Sequence, residues 1–278
     1  MNTNAVTSEA VPADAARNPR KQLLEEMSGG QMLIWQTGLV ILILAFWQFV
    51  SGRLVNNFFI SNPVDVAIRL WEWTITGYIF PHLWVTFYET VAGFVLGSLI
   101  GVMLGIWLGV ARFMSRLLNP FLFAFYALPK IALAPLLVLW FGLGLESKIA
   151  LSTIIVFFLV FYNTFTGVRE VDQDMVDTVR LMKARRHQVL LHVIIPSAMS
   201  WIFAGLKISV PYALIGAIVG ELIAANQGLG FLVQRMGADF DTTGVFAVLV
   251  VIGLLAIALN HLVEIAQVRQ ERWKIVSH

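Results

Sequence analysis

The sequence predicts an all-α polytopic membrane protein with about six transmembrane helices. Its 278 residues are 58% hydrophobic and only 13% charged, whereas soluble domains are about a quarter charged. Six apolar runs are long enough to cross a bilayer, which takes about 20 residues each. Basic residues gather in the segments between alternate runs, as the positive-inside rule describes.

The composition also argues against several functions. The net charge is only +2, which gives no support to nucleic-acid binding. The chain has no cysteine, which excludes disulfides and thiolate metal sites. Its five histidines are scattered, and no H-E-x-x-H motif is present, so a zinc-protease site lacks its ligands. We therefore expect no metal and no cofactor.

The chain is predicted to consist of a transmembrane domain, residues 31–268, between two tails. Residues 1–30 are small, polar and charged, with no apolar face, which is typical of disorder. The first apolar run begins near Met32 and has no small-residue cleavage site after it, so it is predicted to be an uncleaved anchor helix. Residues 269–278 are predicted to form the second tail.

The six predicted spans differ in regularity. The third is interrupted by three prolines and by Lys130, and the fifth contains Lys207, Pro211 and Glu221. The predicted spans are 32–50, 84–110, 118–141, 149–168, 198–224 and 244–266.

Lysines and arginines in the connecting segments predict the orientation. An even number of spans places both termini on one side. That side carries thirteen basic residues: Arg17, Arg20, Lys21, Arg112, Arg116, Arg169, Arg180, Lys183, Arg185, Arg186, Arg269, Arg272 and Lys274. The opposite side carries four: Arg53, Arg69, Lys148 and Arg235. Both tails and the segment after the fourth span are therefore predicted to be cytoplasmic.

That segment, "REVDQDMVDTVRLMKARRHQVLLHVIIP" (169–196), has nine charged residues among its first eighteen. Apolar residues at helical spacing predict two short amphipathic helices joined by the basic run "KARR". The apolar positions are Met175, Val179 and Met182 on the first helix and Leu190, Val193 and Ile194 on the second. Two interpretations fit this pattern equally: a docking element for a partner, or a surface hairpin that covers the end of the bundle.

The same segment resembles a cytoplasmic motif of permease subunits in bacterial ATP-binding-cassette importers. The family motif is Glu-Ala-Ala, three residues, Gly, nine residues, then Ile-x-Leu-Pro. Counting back from Pro196 gives "DTV" (177–179) at the first position, Lys183 at the Gly and "VIIP" (193–196) at the end. A lysine in the left-handed conformation that Gly allows costs about 1–2 kcal/mol, so either the turn differs or the strain is tolerated.

Three further segments resemble the branch of that family that imports nitrate, sulfonates, taurine and thiamine precursors. They are "ALPKIALAPLLVLWFGLGLESKIA" (127–150), "PSAMSWIFAGLKIS" (196–209) and "GELIAANQGLGFLV" (220–233). The resemblance covers about residues 35–270, which is nearly all of the predicted folded part.

The resemblance implies that this chain is an inner-membrane permease subunit without enzymatic activity. It would pair with a second copy of itself, bind two ATPase subunits, and receive its solute from a periplasmic binding protein. The hairpin would be the coupling helix that rests on an ATPase. The residues implied in docking are Asp177, Thr178, Val179, Lys183, Ala184, Arg185 and Pro196.

ATP hydrolysis by this chain is not expected. A phosphate loop needs G-x-x-x-x-G-K-[ST], and "GLGLESK" (142–148) has glycines, a serine and a lysine in the wrong order. Energy would have to come from the partner. The alternatives from other classes are a self-contained secondary transporter or channel, and an importer for a heterocyclic or aromatic nutrient instead of a small anion.

A glycine face runs along the second span. Its members recur at every fourth position, which places them on one face of a helix that another helix can approach closely. Static packing within the subunit and a sliding surface between moving helices both fit, and static packing is favoured. The glycines are Gly93, Gly97, Gly101, Gly105 and Gly109.

Polar residues and prolines within spans mark a candidate path or gate. Pro129, Lys130 and Pro135 fit a bent helix whose lysine attracts an anionic solute, but an ion pair of Lys130 with Glu89 or Glu221, or snorkelling, is favoured. Glu221 and Asn226 fit either an outer gate or a re-entrant turn.

Overall fold

The computed structural model describes residues 29–271, and side chains within 30–265 except that of Arg112. The chain is helical almost throughout this range. The α-helices are α1 (Gly29–Val50), α2 (Pro63–Ile75), α3 (Ile79–Val110), α4 (Arg112–Ala127), α5 (Ala134–Phe141), α6 (Leu145–Arg169), α7 (Gln173–Leu181), α8 (Arg186–Val189), α9 (Ile195–Ala224), α10 (Leu229–Ala238) and α11 (Thr242–Glu271). A 3₁₀ turn, Lys130–Leu133, precedes α5, and a π-helical turn, Leu190–Ile194, joins α8 to α9.

Five of these stretches are single helices long and apolar enough to cross a membrane. They are α1, α3, α6, the continuous run from α8 to α9, and α11. The helices α4 and α5 together supply a sixth candidate crossing, bent by 83° at a short break. The predicted fold class, an all-α protein with about six membrane spans, is confirmed.

The third predicted span, 118–141, is not one continuous helix. Leu128 is extended, with ψ 138°, because a residue before proline is disfavoured in the α-helical region. Pro129 follows at this break, whereas Pro120 lies inside α4 and Pro135 lies in the first turn of α5. A proline in a first turn costs little, since its missing N–H would have no helical partner.

The chain divides into two compact units at Asn56. The first contains α1 and the turn that follows, where the Arg53 guanidinium lies 5.0 Å from the centre of the Phe49 ring. The second contains every other helix. Helix α1 is described from Gly29 and α11 as far as Glu271, and the predicted boundaries at residues 31 and 268 stay predictions. The remaining tail residues lie outside the described part of the chain.

The second unit is built on the contact between α3 and α6. The five glycines of α3 lie along this contact, and a Cβ atom on Gly101 would be 3.0 Å from the Phe157 carbonyl oxygen and the Val160 Cβ. Gly97 and Gly105 lie as closely against Val156 and Thr164. The glycines therefore allow the two helix backbones to approach within one subunit.

Two short helices, α2 and α10, were not predicted from the sequence. Asn62 caps α2 by accepting a hydrogen bond from the Asp65 amide at 2.8 Å, and Pro63 occupies the first helical position. Arg69 of α2 forms a 2.6 Å ion pair with Asp241, directly before α11. This pair connects α2 to the last membrane helix.

Candidate functional site

The segment that follows α6 forms a helical hairpin, residues 171–196. Its first arm is α7, where the Asp172 carboxylate caps the helix by accepting a 2.8 Å hydrogen bond from the Asp174 amide. Its second arm is α8, which continues through the π-helical turn into α9. The hairpin is therefore joined directly to two membrane helices, α6 and α9.

Lys183 adopts the left-handed conformation in the turn of the hairpin, with φ 63°. Its amide donates to the Arg180 carbonyl at 2.9 Å, and the Ala184 amide donates to the Val179 carbonyl at 3.3 Å. This pair of bonds is the Schellman arrangement, which usually places Gly at this position. The turn is thus retained with lysine, and its backbone strain is tolerated.

Valines hold the two arms together. Val171, Val176, Val189 and Val193 form a buried cluster, and partly buried residues that include Val179 pack against it. In the predicted stripe, Val179 packs against the valine cluster, whereas Met175 and Met182 are exposed. Met175 lines the open groove between the two arms.

The tip of the hairpin is apolar and unusually exposed. Leu181 and Met182 are 84% and 77% exposed. A groove of about 670 Å³ opens between the arms, lined by residues that include Thr178, His192 and Pro196. Single exposed apolar residues are common, but neighbouring exposed apolar residues at the tip of a hairpin suit contact with another protein.

Among the other docking candidates, Ala184 is partly buried against the valine cluster, whereas Asp177, Thr178, Lys183 and Arg185 are exposed polar residues. Asp177 pairs with Arg180 at 3.1 Å, and both side chains are mostly exposed, so this pair contributes little to stability. The Arg185 amide donates to the Gln188 side chain at 2.7 Å, immediately before α8. These contacts stiffen the hairpin locally and leave its charged groups accessible.

A buried cluster of charged residues lies near the opposite end of the bundle. Glu89 of α3, Lys148 of α6 and Glu221 of α9 are at most 2% exposed. The carboxyl groups of Glu89 and Glu221 are in hydrogen-bonding contact, and Lys148 interacts electrostatically with both. Three ionisable groups in a bundle interior are costly to bury and indicate a functional or structural site.

The Lys148 ammonium group also holds the loop between α5 and α6. It donates to the carbonyls of Leu143 at 2.5 Å and Gly144 at 2.9 Å. A pocket of about 160 Å³ beside it is lined by Glu89, Lys148, Asn226 and neighbouring loop residues. Among the described residues, Glu89 Oε2 has no hydrogen-bond partner.

Glu221 anchors the loop between α9 and α10. It accepts hydrogen bonds from the Gly230 amide at 2.5 Å and from the Thr86 hydroxyl at 2.6 Å. Thr86 in turn accepts from the Leu229 amide at 2.8 Å, and His82 Nδ1 accepts from the Gly228 amide at 3.1 Å. Both α3 and α9 thus hold this loop, as the re-entrant-turn interpretation describes.

Lys130 makes neither of the ion pairs considered for it. Its ammonium group donates to the Tyr126 carbonyl at 2.7 Å and lies 4.7 Å and 5.1 Å from the ring centres of Tyr126 and Phe158. Lys130 therefore lies against one ring of α4 and one of α6 instead of the carboxylates, and Lys148 occupies the place expected for it beside Glu89 and Glu221.

Sequence reasoning missed Lys148 and Thr86 as members of this cluster. Lys148 was assigned to a solvated loop because it precedes the fourth predicted span by one residue. The sequence did contain a signal for this cluster. Glu89 is an acidic residue inside a long apolar run, and such a residue requires a buried partner.

The fold and the hairpin define the class: a multi-pass component of a membrane transport system. The family described as "Binding-protein-dependent transport system inner membrane component" matches residues 97–276. The chain belongs to this family, which consists of permease subunits that are not themselves enzymes, located in the bacterial inner membrane. The resemblance to permeases of ATP-binding-cassette importers is confirmed.

Relatives of known assignment cover most of the chain. The riboflavin transport system permease protein RibX of Chloroflexus aurantiacus is 35% identical, over 84% of this chain and 88% of its own length. The formylaminopyrimidine transport permease protein ThiX of Halalkalibacterium halodurans is 32% identical, over 78% and 86%. The putative aliphatic sulfonates transport permease protein SsuC of Bacillus subtilis is 29% identical, over 96% and 98%.

The fold also recurs in a solved importer. A chain from inward-facing conformations of the MetNI methionine ABC transporter superposes with a TM-score of 0.58 at 21% identity. The match covers 67% of this chain and 94% of that one. It shows that the two chains share a fold.

Proposed function

We propose that this chain forms the membrane pathway of an importer and is driven through the hairpin 171–196 by separate ATPase subunits. The observation that carries the proposal is the hairpin itself. It has a rigid valine core, an exposed apolar tip at Leu181 and Met182, and direct connections to α6 and α9. A force applied at the tip would therefore reach two membrane helices.

The distribution of basic residues supports a cytoplasmic position for this hairpin. Thirteen lysines and arginines are expected on the side of the termini and the hairpin, against four on the other, and the side richer in these residues is cytoplasmic. The buried charge cluster would then lie near the periplasmic end, where a solute-binding protein delivers its cargo.

Energy would come from two ATPase subunits, one on the hairpin of each of two copies of this chain. The family normally works with ATPase and binding-protein partners, and the sequence has no phosphate loop of its own. Closing of the ATPases would bring the two hairpins together and change which membrane side the pathway faces. A self-contained secondary transporter is not favoured, because it would give the exposed tip no partner.

The solute is a small organic molecule that moves into the cytoplasm. An anion held by Lys130 is not favoured, because its ammonium group is occupied by a carbonyl and two rings. The relatives carry names for riboflavin, formylaminopyrimidine and sulfonates, so family membership alone leaves the solute class open.

Substitution of Leu181 with Asp tests the proposal. The importer is purified through a tag on this chain, and the ATPase retained, the ATP turnover and the ATP-dependent uptake in proteoliposomes are measured. A charge at the apolar tip should reduce ATPase retention or uptake per ATP hydrolysed at least about fivefold, since a buried unpaired charge is costly. Leu54→Asp, in an exposed loop expected on the other side, is the control. Full retention and coupling in Leu181→Asp would refute the proposal.

A further inference from the structure

We infer that α2 lies in the headgroup region of the lipid bilayer and inserts its free apolar face among zwitterionic phospholipids. The inference goes beyond the proposed function, because it concerns neither the ATPase nor the solute. It assigns a partner to a short helix that lies outside the membrane spans, at the end of the bundle opposite the hairpin 171–196.

The outward face of α2 is apolar. Val64, Ile68, Trp71 and Ile75 recur at helical spacing, which places them in one stripe along the helix. All four side chains are exposed, and a shallow groove of about 430 Å³ is lined by Val64, Ile68 and Trp71 among others. Large apolar side chains in one exposed stripe form a contiguous patch, and such a patch marks contact with a membrane or with another protein.

The other two sides of α2 meet the bundle and water. Val66 and Trp73 are buried, and the helix packs against α3 and α11. Asp65, Arg69 and Glu72 form a polar strip between the buried side and the apolar stripe. A helix with separate sides for protein, water and an apolar medium has the pattern of an interfacial membrane helix.

The start of α3 lies at the end of the bundle away from the hairpin. A Cβ atom on Gly93 would meet Ser152, and one on Gly109 would meet Val168, so α3 and α6 run in the same direction. Helix α6 ends where the hairpin begins, and α3 therefore starts at the opposite end. Helix α11 starts there as well, because α9 leads away from the hairpin and only the short α10 lies between α9 and α11.

Both ends of α2 are held at the starts of these membrane helices. The hydroxyl groups of Ser61, just before α2, and Thr243, in the first turn of α11, share a 2.8 Å hydrogen bond. The Arg69–Asp241 ion pair adds a second contact with the start of α11. At the other end, a short turn with Gly77 at φ 74° leads into α3. Helix α2 is thus kept at the membrane boundary, with its apolar stripe at the level of the lipid surface.

Exposed aromatic side chains mark the same level of the molecule. Phe58, which precedes α2, stacks on Phe240 with 5.8 Å between the ring centres and an interplanar angle of 22°. Phe80 and Trp84, in the first two turns of α3, are also exposed. Aromatic residues gather at the boundary between membrane and water, which supports a position of α2 at that boundary.

The charges of α2 favour zwitterionic over anionic lipid. The helix carries Asp65 and Glu72 against Arg69, and Arg69 is paired with Asp241. Basic side chains draw interfacial segments to anionic headgroups, whereas the net charge of α2 is negative. Burial of the apolar stripe therefore supplies the attraction, and anionic lipid adds nothing to it.

The test places single cysteines in the full-length chain, which has no cysteine of its own, and attaches a nitroxide label to each in zwitterionic lipid nanodiscs. Access of oxygen, which concentrates in lipid, is compared with access of a water-soluble nickel chelate. The ratio of oxygen to nickel access at Val64→Cys and Ile68→Cys should exceed that at Glu72→Cys at least about threefold, because the apolar face is buried in lipid. Addition of anionic lipid should leave these ratios unchanged.

Leu181→Cys is the matched control, since Leu181 is an exposed apolar residue at the hairpin tip, and its ratio should resemble that of Glu72→Cys. Val64 and Ile68 lie one turn apart, so agreement between them shows that neither label has disturbed the helix.

Three results overturn the inference. A ratio at Ile68→Cys as low as that at Leu181→Cys would place α2 in water. Low access of both reagents would show that protein, such as a second copy of the chain, covers the stripe. A larger ratio in anionic lipid would show that charge attracts the helix to the membrane. The measurement needs no ATPase, so a failure of the proposed function would not change how its result is read.

Discussion

At the scale of single residues, Lys183 shows how a turn survives a change of its preferred amino acid. Its φ of 63° lies where a Cβ atom is disfavoured. The turn persists because two backbone bonds and the valine cluster on either side specify it. The strain is therefore local, and it can be removed without altering the hairpin.

Replacement of Lys183 with Gly should raise the free energy of unfolding by about 1 kcal/mol. The substitution relieves the backbone strain, and the greater conformational freedom of glycine in the unfolded chain offsets part of that gain. Thermal unfolding of the detergent-solubilised chain measures this change. Lys183→Ala keeps the Cβ atom and should leave the midpoint near that of the parent. A glycine variant less stable than the alanine variant would contradict this account of the turn.

The carboxyl pair in the buried cluster predicts opposite effects for two similar substitutions. In Glu89→Gln, the new amide can donate to Glu221 in place of the proton that the two carboxyl groups share, so thermal stability should be kept or increased. In Glu221→Gln, an amide replaces one of two oxygens that accept from Thr86 and Gly230. A buried donor left without an acceptor costs about 1–3 kcal/mol.

The measurement is the unfolding midpoint of both variants under identical conditions. Equal losses in both would mean that Glu89 and Glu221 have equivalent roles, contrary to the arrangement of their partners. Proteolysis within the loop 225–228 adds a second readout, because only the Glu221 substitution should release that loop.

At the scale of helices, the glycine face of α3 determines how closely α6 can approach. A Cβ atom on Gly101 would lie 3.0 Å from backbone atoms of α6, which cannot move as a flexible side chain can. The glycines therefore act by leaving space for the α6 backbone, and their substitution affects how α3 and α6 pack together.

Gly101→Ala should destabilise the protein by about 1–3 kcal/mol through overpacking, and Gly101→Leu should prevent recovery of folded chain. Gly38→Leu is the control, since nothing lies within 4 Å of a Cβ atom at Gly38 of α1. The yield of monodisperse protein in size-exclusion chromatography reports the result. A normal yield of Gly101→Leu would exclude close packing of α3 on α6.

The long helices could be predicted from the sequence, and the short ones could not. Apolar runs of span length leave few alternatives in a bilayer, and hence five of the six predicted spans lie within α1, α3, α6, α9 and α11. Helices α2 and α10 are short and amphipathic, and their positions depend on tertiary contacts such as the Arg69–Asp241 pair. The burial of Lys148 and the direction of the bend at Pro129 depend in the same way on residues distant in sequence.

At the scale of the whole molecule, the bent pair α4–α5 determines the topology. If the pair crosses the membrane, the loops after α1 and after α5 lie on the same side. If it forms a re-entrant loop, they lie on opposite sides. The distribution of basic residues favours a crossing. Only when six spans are counted do thirteen lysines and arginines lie on one side of the membrane and four on the other.

Single-cysteine labelling can decide this point, because the chain has no cysteine of its own. Leu54→Cys and Leu143→Cys, both exposed loop positions, should react with a membrane-impermeant maleimide from the periplasm. Leu181→Cys should react only after the inner face is opened to the reagent. Labelling of the Leu54 and Leu143 sites from opposite sides would show that α4–α5 does not cross.

The continuity of the hairpin with α9 has a mechanical consequence. The helical run Arg186–Ala224 contains 39 residues and is about 58 Å long at the usual rise per residue. It begins at the hairpin and ends at the loop that Glu221 holds. Treated as a stiff lever pivoting at one end, a rod of that length moves its far end by about 5 Å for each rotation of about 5°. A slight tilt at the hairpin would thus displace the far loop, and the π-helical turn Leu190–Ile194 and Pro211 are the points at which this run can bend.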